Sequence, residues 1–106
     1  MPADPSARPP TKVELAKLIG PSTVTFRPNS GKLYQVFFLG VEMGQVDQIT
    51  PTSWGYFAGG RDNTFPSLQK AAEARCKLML RQNTYQFLPK LQKAWQELEE
   101  RELTYA

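Results

Sequence analysis

Histidine does not occur in this chain, and cysteine occurs once, as Cys76. The first absence removes histidine-ligated metals, a histidine general base and every Ser-His or Cys-His nucleophile pair. The second excludes an internal disulfide framework and points to a reducing, cytoplasmic setting. No apolar run approaches the roughly 20 residues of a membrane-spanning helix, and the N-terminus lacks the basic-then-apolar order of a secretory signal. Carboxylates in catalytic pairs are missing too. Asp47 and Asp62 have no evident partner, and Glu97, Glu99, Glu100 and Glu102 read as a solvated helix face. The Gly59–Asn63 loop has neither the Gly-Lys-Ser/Thr spacing nor the Gly-x-Gly-x-x-Gly order of a phosphate cradle, so it reads as a turn with Arg61 at its tip. The sequence therefore predicts no enzyme, no cofactor, no metal site and no small-molecule substrate.

What is present suits one folded domain. The chain has 106 residues, 41% of them hydrophobic, enough for a single core. Residues 1–10 hold four prolines and little to bury, and read as a disordered tail. Residues 11–106 read as one α+β domain. Thr11 followed by Glu14 fits a capping box at the start of a short helix, which Gly20 and Pro21 end. Ser22–Arg27 and Leu33–Val41 read as strands around a Pro28–Gly31 turn, with Gln45–Ile49 and Trp54–Ala58 completing a small antiparallel meander of three to four strands. Glu42–Gly44 is the expected turn between the second and third strands, and 59–63 the expected loop before the next helix.

That helix organises the rest. In Ser67–Arg81, Leu68, Ala71, Ala72, Cys76, Met79 and Leu80 recur at helical spacing and should cover the sheet, with Cys76 a buried, inert thiol. A final amphipathic helix follows. Thr84 is its candidate cap, and Pro89 suggests a regular part starting near Phe87 or Leu88. Leu88, Leu91, Trp95 and Leu98 form its narrow apolar seam.

Two functions fit these features. The preferred one is a small non-enzymatic protein-interaction module or regulatory subunit that docks another protein, or a second copy of itself, through Leu91, Trp95 and Leu98. The alternative is nucleic-acid binding. The chain carries thirteen Lys and Arg against ten Asp and Glu, and most of the excess lies in 67–82, where Lys70, Arg75, Lys77 and Arg81 face only Glu73. Lys70, Lys77 and Arg81, with Arg61 and Lys32, are its candidate phosphate contacts. Trp54, Tyr56 and Phe57 beside Phe37 and Phe38 are candidates for base stacking, or for cross-strand packing.

The opening helix with Leu15 and Leu18, the YQVFFLG stretch from Tyr34 to Gly40, and Ser67, Ala71 and Ala74 opening an Ala-rich helix resemble, in layout, the double-stranded-RNA-binding domains. The resemblance covers roughly residues 11–82. It implies a helix, a three-stranded sheet and a second helix whose first turn grips phosphates. Where that family has paired lysines this chain has Leu68 and Gln69, with Lys70 just after.

Overall fold

The computed structural model describes residues 9–105, with side chains described as far as residue 100. The tail expected over 1–10 lies outside the described residues up to position 8. Pro10 is buried, and its carbonyl accepts a 2.8 Å hydrogen bond from Gln92 Nε2. The order is α1 (Lys12–Leu18), β1 (Val24–Pro28), β2 (Leu33–Phe38), β3 (Val41–Thr50), β4 (Ser53–Ala58), β5 (Arg61–Phe65), α2 (Leu68–Gln82) and α3 (Thr84–Tyr105). The fold is α+β, with all five strands antiparallel in the order β1-β2-β3-β4-β5.

Helix α1 begins with the expected capping box. Thr11 N donates to Glu14 Oε1 at 2.8 Å and Glu14 N to Thr11 Oγ1 at 3.2 Å. After α1 the Thr23 hydroxyl donates to the Leu18 carbonyl and accepts from Gly20 N, which closes the exit loop.

The sheet has five strands where the sequence predicts three to four, and its β2–β3 turn lies earlier than expected; both differences come from two-residue turns. Leu39 (φ 53°) and Gly40 (φ 84°) take the left-handed conformation that suits a tight hairpin, so β2 ends at Phe38 and Val41 opens β3. Glu42, Met43 and Gly44 are then strand residues, with Gly44 at an irregularity in the β2–β3 ladder. Gly59 (φ 66°) and Gly60 (φ 79°) make the same kind of turn and fold Arg61–Phe65 back onto β4. The expected loop is a turn and a fifth strand.

The core lies between one sheet face and the helices. Val24, Val36, Phe38, Met43 and Val46 meet Ala71, Ala72, Cys76 and Leu80 of α2, Leu15 of α1, and Phe87 and Leu91 of α3. Ala71 and Ala72 are small enough for α2 to lie close to the strands. Helix α2 starts at Ser67, whose side chain accepts from Lys70 N, and ends at Asn83, with Thr84 donating back to the Leu80 carbonyl at 2.8 Å. The Thr84 hydroxyl thus closes α2, while the Asn83 carbonyl accepts from Gln86 and Phe87 and starts α3. Pro89 is accommodated within the helix. Among the described residues no helix is long and apolar enough to cross a membrane.

Candidate functional site

The buried positions of α2 are Ala71, Ala72, Cys76, Leu78 and Leu80. At 3.6 residues per turn they cover an arc of about 200°, so the helix is enclosed by the sheet on one side and by the other helices on another. Leu78 is part of this arc, although the expected stripe omitted it. A strip of about 160° remains for solvent. Lys70, Lys77 and Arg81 all lie in it, within about 40° of one another and spread over about 16 Å of helix, and all three are exposed. Glu73, the one acidic residue on that strip, accepts a 2.8 Å hydrogen bond from Gln69. None of the three cations forms an ion pair among the described residues.

The fold adds one further cation. Arg61, at the start of β5, and Arg81, in the last turn of α2, line a single cleft with Tyr56, Asn63 and Leu78. Asn63 fixes this corner: its Nδ2 reaches the carbonyls of Ala58 at 3.1 Å, Arg61 at 3.2 Å and Tyr56 at 3.4 Å. Arg75 also approaches Tyr56, with its guanidinium carbon 5.5 Å from the ring centroid. Burial raises the Tyr56 phenol above its ordinary value, and the charges of Arg75 and Arg81 oppose that rise. The fifth candidate, Lys32, stands apart. In an antiparallel meander its β1–β2 connection lies at the end of the sheet opposite the β4–β5 turn that carries Arg61.

Of the apolar seam, Leu91 is fully buried and belongs to the monomer's own core. Trp95 is half-buried, and Leu98 is 37% exposed at the edge of a groove it shares with Ala94, Leu39 and Thr25. The five candidate stacking aromatics are divided between the two faces of the sheet. Phe38, Trp54 and Tyr56 pack on the core, whereas Phe57 is 62% exposed on the opposite face. Phe37 shares that face and lies under the Arg27 guanidinium, 5.3 Å from its ring centroid. Arg27 also donates to Gln35 Oε1 at 3.2 Å, and Gln35 donates to Glu42 at 3.1 Å, so this arginine is held in a cross-strand row.

Cys76 is buried, and burial first, with Glu73 second, pushes its thiol up to about 12 against the opposing charge of Arg75. It is a protonated core thiol at neutral pH. Among the described residues no group of His, Cys, Asp and Glu is arranged to hold a metal ion. No protein-family model matches the chain, and no curated protein or solved structure matches it either. The double-stranded-RNA-binding layout differs in having three strands and one closing helix where this chain has five strands and two.

Proposed function

We propose that this chain is a non-enzymatic binding module that holds the phosphate backbone of a nucleic acid along the solvent strip of α2. The observation that carries this reading is the alignment of Lys70, Lys77 and Arg81 on that strip, extended by Arg61 across the cleft at the helix end. Lysine and arginine heads without protein partners are free to replace the counterions condensed on a phosphate chain, and that exchange drives such binding. Affinity then falls with salt, with a log–log slope of about −3 to −4 for four contacts on a duplex.

Fluorescence anisotropy of labelled duplex RNA, duplex DNA and single strands, at low and moderate salt, tests it. Replacing Lys77 and Arg81 together by Glu should abolish binding at moderate salt, whereas Lys32→Glu should change little. Absence of binding at low salt, or binding that ignores salt, rejects the reading.

A second reading is docking of another protein at the end of α3. It is favoured by the exposure of Leu98 beside half-buried Trp95, next to the groove at Leu39. Analytical ultracentrifugation of the wild type and of Trp95→Glu tests its self-association form.

A further inference from the structure

The β3–β4 ladder is short. It pairs Asp47 with Gly55, Gln48 with Trp54 and Thr50 with Ser53, while β3 continues back to Val41 against β2 and β4 continues to Ala58 against β5. Beyond the Asp47–Gly55 pair the two strands part. Into this opening α2 sends Arg75, whose Nε donates to the Met43 carbonyl at 3.3 Å. Gly44 makes room for it: a Cβ there would lie 2.7 Å from both Arg75 Nε and Nη2, and its φ of +106° already favours glycine. Gly55 is bare for a related reason, since a Cβ would run into the Asn63 carbonyl.

The two glycines leave a cleft of about 510 Å³ in which Arg75 meets residues of the face that α2 does not cover. Asp47 and Glu42 line it as carboxylates, and Phe57 and Leu33 as apolar walls. The opposite charges are not paired with each other: among the described residues Arg75 makes no ion pair, and the hydrogen bond described for Glu42 comes from Gln35. The guanidinium uses its Nε–H on Met43, which leaves the paired Nη donors for a planar carboxylate. A ligand that satisfies both charges must carry an anion and a cation a few atoms apart, with an apolar group for the wall.

We propose that this cleft binds a free α-amino acid with an apolar side chain. Arg75 takes the α-carboxylate, Asp47 takes the ammonium, and Phe57 and Leu33 contact the side chain. The site adjoins the Arg61–Arg81 cleft at Tyr56, which lines both, but does not depend on the nucleic-acid reading. The carboxylates on its rim disfavour a phosphate chain, which separates the two surfaces chemically.

The test is an amide-resolved NMR titration with leucine, leucinamide and N-acetylleucine, each to about 20 mM at constant ionic strength. The expected result is a saturable shift of the Gly44, Gly55 and Phe57 amides with leucine, and binding about ten-fold weaker for each blocked form. Arg75→Gln should abolish the shift, but it also disturbs the sheet. Asp47→Asn, on the surface, is therefore the deciding variant: it should weaken leucine several-fold and leave N-acetylleucine unchanged. Equal shifts from all three compounds, shifts elsewhere, or an Asp47→Asn protein that binds leucine as the wild type does would overturn the proposal.

Discussion

Helices α2 and α3 follow one another with only Asn83 between them, yet the fold uses them in opposite ways. Helix α2 is enclosed over more than half of its circumference from Ala71 to Leu80, and the arc it leaves to solvent carries the cations Lys70, Lys77 and Arg81. Among the described side chains helix α3 is held on one side, by its first half: Phe87 and Leu91 are buried, whereas Leu98, two turns further along the same side, is over a third exposed. The seam of α3 is regular in spacing but not in burial. What differs is the surface opposite each residue, because a helix face is buried only as far as there is structure to bury it.

The largest expected effect separates the two halves of α3. Leu91→Ala empties a fully enclosed site and should lower stability by about 2–5 kcal/mol in urea unfolding. A loss below about 1 kcal/mol there would mean that α3 is not docked as described, and the contrast with α2 would collapse.

Next in size is the tie between α2 and the sheet, which has no counterpart described in α3. Gly44→Ala must hold a non-glycine residue at φ +106° and displace the Arg75 head, and should cost about 1–3 kcal/mol. Made in an Arg75→Ala background, the same change keeps the backbone strain and loses the clash. Its cost should shrink by the coupling that a double-mutant cycle measures. Full additivity would show that Arg75 does not occupy the opening.

The enclosure of α2 also predicts a pH dependence. The Cys76 thiol stays protonated in the folded chain up to about pH 12, while an exposed thiol ionises near 9. Between these values the unfolded state releases a proton that the native state keeps. Stability is therefore undiminished below about pH 9 and falls as pH rises above it, by at most about 1.4 kcal/mol per unit. Urea midpoints taken from pH 8 to 10 should show this decline, and Cys76→Ala should flatten it. A thiol-specific reagent should likewise react with Cys76 only as fast as the chain opens.

The extent to which the sequence disclosed all this follows from which interactions are local. The capping box at Thr11 and Glu14, the Ser67 start of α2 and the sheet-plus-helices class were legible because each depends on neighbours along the chain. The fifth strand was not, because Gly59-Gly60 reads equally as a loose loop or a tight hairpin until Arg61–Phe65 is seen to pair with β4. Leu78 escaped because a stripe of one helical face assumes one covering surface, and α2 has more than one. The candidate site divides in the same way. Lys70, Lys77 and Arg81 share a strip by helical spacing alone, whereas the meeting of Arg61 with Arg81 requires the β4–β5 turn. Arg75 shows the limit most clearly. The sequence counts it only among the cations of residues 67–82, but the opening it enters is made by the parting of β3 and β4, both distant along the chain.

The smallest expected effect is also the one that bears most on how α3 is used. Leu98→Ala removes a side chain that is already 37% exposed at a groove edge, so little apolar area returns to water on unfolding. Alanine is also a slightly better helix former than leucine, which offsets part of the loss. The net change should stay below about 1 kcal/mol, against the several expected at Leu91, with urea unfolding of both variants under one set of conditions as the comparison. If Leu98→Ala instead costs more than about 2 kcal/mol, Leu98 is gripped as a core residue is. Leu98 would then be docked as Leu91 is, and it would no longer offer an apolar surface for another protein to meet.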